Sequence, residues 1–359
     1  MLQPIADRDL LVSAPLAAEI EDAIHEIARF DAELGQEIAP FSAVLLRTES
    51  AASSKIENLT ASARAIAEAE LLPDGRHNAS LIVANTRTMT AAIGLANRLD
   101  AQAILAMHAE LLGRSNPRIA GQWRSQQVWI GGSDIGPHNA AFVPPQHSRV
   151  PAAIDDLLGY LDRDDIPVLV HAAIAHAQFE TIHPFSDGNG RTGRALVHAQ
   201  LRNKRLIRNV TVPISAGLLA DTDGYFRALT DYRLGAPEAI IEQFVKAAFA
   251  AVHNGRTLVT ELREVRAGWD ERVKARRGSN TWKIVDLLLR NPVVNAPFVA
   301  QQISAEVQNV YRSIDPLVEA GILHEFTDHN RNRMWRTPEI LKALDDFAER
   351  AGRRSRGLA

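Results

Sequence analysis

Along most of this chain apolar residues recur at steps of three and four, a spacing that lines one face of an α-helix and argues against a large sheet. Between positions 13 and 35, Ile20, Ile24, Ile27, Phe30 and Leu34 keep that step, with Ser13 placed as an N-cap and Gly35 as a stop. The same reading predicts helices over 40–54, 61–72, 79–99, 101–112, 151–162, 167–179, 191–202 and 223–232, and a long run from 236 towards 265. A mainly α fold follows, and 359 residues suffice for about two or three domains.

Composition removes several chemistries. With Cys 0 there are no disulfides, cysteine nucleophiles or thiolate zinc sites. Lys+Arg 40 against Asp+Glu 43 leaves a net charge of −3, so any nucleic-acid contact must come from a local patch. The first twelve residues lack the basic-then-apolar order of a signal peptide, and the apolar run over 166–179 is too short and too interrupted to cross a bilayer. The expectation is a soluble, cytoplasmic protein with no membrane contact.

Two regions depart from the helical pattern. Short β-prone runs at 126–130 and 141–143 enclose Gly131, Gly132, Gly136 and Pro137, which predicts a hairpin. Near 272–280, Arg272, Lys274, Arg276, Arg277 and Gly278 precede a new helical pattern, which places a domain boundary there. Helices over 282–289, 296–303 and 305–320 follow, then β-prone runs at 322–326 and 334–336 around a polar turn. That order is the layout of a winged helix-turn-helix. The expected organisation is a helical region over 1–100, a core over 101–270, the winged unit over 278–345 and a basic tail over 346–359.

The chemistry concentrates in the twelve residues His183-Pro-Phe-Ser-Asp-Gly-Asn-Gly-Arg-Thr-Gly-Arg194, just before a helical run. Glycines let backbone amides approach a ligand, and a helix start leaves its first N–H groups unpaired with the positive dipole end behind them. Arg191 and Arg194, three apart, share a helix face as phosphate clamps. Asp187 offers the hard oxygen that Mg²⁺ prefers, and His183 is the group able to move a proton near neutral pH. Together they point to chemistry on a nucleoside phosphate.

This segment resembles the signature of the Fic-domain family, HPFxDGNGRxxR, at every defined position. The resemblance implies a Fic-type helical bundle that transfers AMP from ATP to a Ser, Thr or Tyr hydroxyl of a target protein, or of itself. It implies His183 as the base, Asp187 as the Mg²⁺ ligand, Gly188, Asn189 and Gly190 as an anion hole, Arg191 and Arg194 as phosphate contacts, and Phe185 as a buried anchor. The hairpin, with Val128, Trp129, Ile130 and Gly131, looks like the family's flap that docks the target by strand addition. Ser53-Ser-Lys-Ile-Glu57-Asn58 resembles the inhibitory motif (S/T)xxxE(G/N), in which Glu57 would pair with Arg194 and displace the γ-phosphate. Tyr225, beside Phe226, falls where the family places an aromatic pair near the adenine. The resemblance covers about 41–252.

Other features are read without it. His171 and His176 are taken as core histidines and not as zinc ligands, and His138 and His147 beside the flap as solvated. In the C-terminal unit a recognition helix over 307–317 carries Gln308, Asn309, Tyr311, Arg312 and Asp315. The wing carries His329, Arg331, Arg333 and Arg336, and Arg353, Arg354 and Arg356 trail behind. This set could grip phosphates and read base edges, while Asp315 and Glu319 dilute its charge, so DNA, another protein and a second copy of the chain stay open as partners. Removal of AMP by the same site, or DNA binding by a regulator whose Fic-like domain senses nucleotide, are the alternative activities.

Overall fold

A computed structural model describes residues 2–35, 38–72, 77–132, 136–327 and 333–352. Two helices form the centre: α7 (Val168–Ile182) and α8 (Asn189–Asn203), packed on each other. Helix α7 is buried on all sides from Leu169 to Ile182, which is why its sequence shows no polar stripe. Around the pair lie α1 (Ala14–Leu34), α2 (Ile38–Ile56), α4 (His77–Gly94), α5 (Ala101–Leu112), α6 (Val150–Leu161), α10 (Thr222–Arg233) and the 35-residue α11 (Glu238–Arg272). Short α3 (Ala63–Leu71) packs on α4, and α9 (Ile214–Leu219) is wedged between α2 and α11. Sequence periodicity missed α9, which at six residues is shorter than two turns.

Buried polar side chains tie these helices together. Asp31, at the end of α1, accepts the N–H groups of Arg208, Asn209 and Val210 at 2.8–3.0 Å and so fixes the return after α8. Glu49 of α2 accepts from the Ser215 amide at 2.8 Å and from its hydroxyl, and meets His198 Nε2 of α8 at 2.7 Å, all fully buried.

After α11 the chain continues as α12 (Asn280–Arg290), β1 (Val293–Asn295), α13 (Ala296–Ile303), α14 (Val307–Glu319), β2 (His324–Glu325) and β3 (Met334–Arg336). The three strands form an antiparallel sheet in the order β1-β3-β2, with Val294 opposite Trp335 and Glu325 on the other side of Trp335. The domain boundary expected near 272–280 coincides with the connection between α11 and α12. Strand β1 was not expected, because three residues are too few to show a period of two.

A final helix, α15 (Pro338–Gly352), is a correction to the expected tail: 346–352 is helical, with Phe347 and Ala351 buried. It folds back onto α2, α3, α9 and α11. Asp345 accepts the Ala63 N–H at 2.9 Å, so it caps α3, and Arg47 of α2 holds Glu70 through two 2.8 Å bonds while donating to the Arg290 carbonyl at 2.8 Å.

Of the basic set expected to grip nucleic acid, Arg333 pairs with Glu325 and Arg336 lies over Phe326, whose other neighbour is Arg64 at 4.5 Å. Gln308, Asn309 and Arg312 are exposed on α14, while Tyr311 packs edge-on to Trp335. His329, Arg331, Arg353, Arg354 and Arg356 lie outside the described residues.

Candidate active site

The loop between α7 and α8 is set by backbone conformation and by side chains beneath it. Helix α7 closes at His183, which is left-handed (φ 50, ψ 61) and donates its N–H to Phe179 O at 2.9 Å. A non-glycine residue pays roughly 1–2 kcal/mol for that conformation, so its surroundings must hold it. Arg124 does so. Its Nε donates to His183 O at 2.8 Å, its Nη1 to Gln126 O at 3.0 Å and its Nη2 to Pro145 O, and its amide donates to Pro184 O at 2.9 Å. One buried guanidinium thus joins the loop to both ends of the flap.

Below the loop, the Phe185 ring stacks on His108 at 3.7 Å with the planes 3° apart, and packs against Trp123. His108 Nδ1 accepts from the Gly121 N–H at 3.0 Å, which leaves Nε2–H to donate to Asp187 O at 3.0 Å. Burial keeps this ring neutral by lowering its pKa. The Asn189 carboxamide bonds Phe185 in both directions, accepting its N–H at 2.8 Å and donating to its carbonyl at 2.9 Å. Gly188 is left-handed (φ 76), and a Cβ there would come 2.8 Å from Leu111. The loop is therefore preorganised before any ligand arrives.

Helix α8 begins at Asn189, so the amides of Asn189, Gly190 and Arg191 have no carbonyl of their own helix to bond. Arg191 is buried, yet its Nε and Nη1 have no hydrogen-bond partner among the described residues. Orphaned buried cationic donors at a helix N-terminus fit an anion. The Asp187 side chain stands at the rim, 61% exposed, 3.7 Å from Arg191. No three His, Asp or Glu side chains converge among the described residues, so Asp187 would hold a cation as one carboxylate shared with a ligand's phosphates, which suits Mg²⁺. Burial pushes the His183 pKa down to about 4, so the ring is neutral at pH 7 and can accept a proton.

Facing this start is the end of α2. Asn58 is left-handed (φ 60); its N–H bonds Lys55 O at 2.9 Å, and the Leu59 N–H bonds Ser54 O at 3.0 Å. That Schellman pattern ends the helix and aims Glu57 at α8. Glu57 Oε1 accepts from Arg194 Nη2 at 2.8 Å, and Arg194 also donates to Ser53 Oγ and Ser53 O, each at 2.9 Å. Burial opposes ionisation of Glu57, but Arg194 and Arg191 hold its carboxyl below the usual range. The carboxylate lies on the first turn of α8: a Cβ on Gly190 would collide with Glu57 Oε1.

The structure thus brings together His183, Asp187, Gly188, Asn189, Gly190, Arg191, Arg194, Ser53, Glu57 and Asn58. One expectation changes. Tyr225 is buried and its hydroxyl meets His176 Nε2 at 2.7 Å, so an enclosed ring cannot stack on a base; the exposed ring is Phe226. Among the described residues the flap shows a bridge between Ile130 and Phe142, with Gly131 and Gly132 beyond it and Val128 and Trp129 leading into it; positions 133–135 of the expected hairpin lie outside the described residues. His171 bonds Tyr160 O and Gln200, and His147 is half-buried while His138 is exposed.

Sequence reasoning missed Arg124, His108, Glu180 and Arg233. The last lies 3.8 Å over the Phe142 ring of the flap. For Glu180 there was a signal, a carboxylate inside the apolar run AAIAHAQFETI.

Residues 98–201 match the model of the Fic/DOC family. Over 98 residues the chain is 36% identical to protein adenylyltransferase fic-1 of Caenorhabditis elegans, which covers 26% of this chain and 18% of that protein. It is 37% identical over 98 residues to protein adenylyltransferase Fic of Nematostella vectensis, covering 27% and 22%. The matches therefore span about a fifth of the length of these curated relatives. A crystal structure of a Fic family protein from Desulfovibrio desulfuricans G20 shares the fold, with a TM-score of 0.56 and 22% identity over 91% of this chain and 97% of that one. The loop from His183 to Arg194 lies inside the matched residues; Glu57 and the C-terminal unit lie outside them.

Proposed function

We propose that this chain, which carries a Fic/DOC-family domain over residues 98–201, is a protein adenylyltransferase restrained by its own Glu57. The observation that carries the reading is Arg191, whose buried Nε and Nη1 have no hydrogen-bond partner among the described residues, on the first turn of α8 close to a neutral His183. In this reading the first-turn amides of α8, with Arg191 and Arg194, bind the phosphates of ATP. The Nε2 of His183 takes the proton of a target hydroxyl, its oxygen bonds to the α-phosphorus, and the bond from that phosphorus to the bridging oxygen breaks, releasing pyrophosphate. Catalysis rests on positioning and on charge complementarity. Asp187 would hold Mg²⁺, which supplies charge neutralisation on the phosphates.

The brake is supported by the Arg194–Glu57 contact at 2.8 Å and by the position of the carboxylate on Gly190, where a phosphate oxygen would sit. Labelled ATP with Mg²⁺ tests both parts. Glu57→Gly should gain AMP incorporation over the unaltered chain, and adding His183→Ala should abolish it. A Glu57→Gly protein that incorporates no more label than its His183→Ala derivative would sink the reading. The C-terminal helices and sheet are read as a winged helix. Arg333 pairs with Glu325 and Arg336 lies over Phe326, and both a protein and a nucleic acid stay open as partners of this unit.

A further inference from the structure

We propose that Glu180 is the positioning residue that orients the His183 imidazole and balances its charge while it holds the target's proton; this rests on reading His183 as the base. Glu180 lies on the last turn of α7, three residues before His183, which closes that helix in a left-handed conformation. Its Oε2 stands 3.9 Å from His183 Nδ1. Glu180 Oε1 and His183 Nδ1 are both buried, and neither has a hydrogen-bond partner among the described residues. The Glu180 oxygen nearer to Nδ1 is Oε2, and a side-chain adjustment of about 1 Å would bring it to hydrogen-bond distance of a ring that the Glu180 backbone already influences. Hydrogen bonds at catalytic groups are commonly long before substrate binds.

The opposing helix leaves space for this carboxyl. Gly193 of α8 faces it, and a Cβ there would come 3.0 Å from Glu180 Oε1 and 2.9 Å from Phe179. The ionisable groups around it are Arg194 of α8, Tyr225 and Arg233 of α10, Glu57 at the end of α2, and His176 and His183 of α7 itself; α11 presents the Phe244 ring to His176. Burial pushes the Glu180 carboxyl up to about 7, against the pull of Arg194 and Arg233.

With His183 neutral, an Nδ1–H donated to Glu180 leaves the lone pair on Nε2 for the hydroxyl. When that hydroxyl's proton passes to Nε2, the ring gains a positive charge and the carboxylate beside Nδ1 stabilises it, the role an acidic residue takes behind a catalytic histidine in hydrolases. No atom is exchanged between Glu180 and His183. As pH falls through about 7, Glu180 gains a proton and the balance is lost, although the imidazole itself stays neutral down to about 4.

The test uses the full chain carrying Glu57→Gly, with ¹⁵N-labelled histidine, titrated from about pH 5.5 to 8.5. The His183 signals are identified by their loss in His183→Ala. The Nδ1 shift should inflect near pH 7 while the ring remains neutral, and the inflection should vanish in Glu180→Gln. Glu180→Asp, which keeps the charge one methylene further back, should retain it. An inflection that survives Glu180→Gln, or none in the parent, overturns the pairing. In AMP incorporation, Glu180→Gln should lower kcat at pH 8 by about tenfold or more, leave KM for ATP within about twofold and remove the acid limb near pH 7. An unchanged kcat and pH profile overturns the catalytic part. An intact inflection with no AMP transfer in any variant supports the pairing and overturns the transferase reading instead.

Discussion

On the proposed reading, Arg194 would serve either Glu57 or a phosphate, but not both at once. Its side chain is 3% exposed and is held by Ser53 through both hydroxyl and carbonyl, so its direction is set before Glu57 contributes. Glu57 is 39% exposed and supplies only one bond. If the proposed restraint holds, this single contact to a partly exposed carboxylate is what a phosphate would have to displace. Glu180 presents the opposite case, a carboxyl with no cation bonded to it. Its folded pKa, near 7, lies above the ordinary 4.5, so the native state holds the proton more tightly than the unfolded chain. That contribution to stability is complete below about pH 4.5 and is lost as pH rises through 7. Glu180→Gln should therefore gain stability relative to the unaltered chain between pH 5 and 8, by roughly 3 kcal/mol at most. Melting curves across this range check it, and a difference independent of pH would refute it.

At the scale of elements, the end of α2 sets where Glu57 stands. Asn58 takes a left-handed conformation that a β-branched residue resists by about 1–2 kcal/mol, and its position decides where Glu57 points. Asn58→Val should loosen this end and raise basal AMP self-incorporation, whereas Asn58→Gly should preserve the restraint. Equal incorporation by the two variants would show that the turn does not set the brake. The rest of α2 is pinned by Glu49 to His198 and Ser215, so loosening can stay local to the last turn. The (S/T)xxxE(G/N) pattern was legible in the sequence, and its parts have separate physical reasons. Ser53 holds the arginine, Glu57 lies against Gly190 at the start of α8, and Asn58 ends the helix.

Among the described residues the largest apolar core runs from Ile5 to Ala351 and takes in α7 and the C-terminal helices alike, so these are not independent bodies. Helix α15 carries much of this continuity, through Asp345 on α3 and a cavity of about 160 Å³ that it shares with α2, α3 and α9, lined by Thr48, Ala52, Ile66, Leu219, Leu344 and Phe347. The consequence is thermodynamic: calorimetry of the full chain should show one cooperative transition. Two resolved transitions would mean that the contacts of α15 and Arg47 do not couple the parts.

Periodicity, glycine placement and capping residues are local properties, and from them the sequence alone determined the helical class, most helix positions, the break before α12 and the loop from His183 to Arg194. Short elements escaped because α9 and β1 are too brief to show a period. What only tertiary structure decided is which polar groups lose water beside which others. Glu57 meets Arg194 across 137 residues, Tyr225 turns inward to His176, Arg124 fastens the loop to the flap, and Glu180 is left unpaired next to the imidazole. Desolvation and long-range contact leave no periodic trace in the order of residues, and they set the charge states on which this site's chemistry depends.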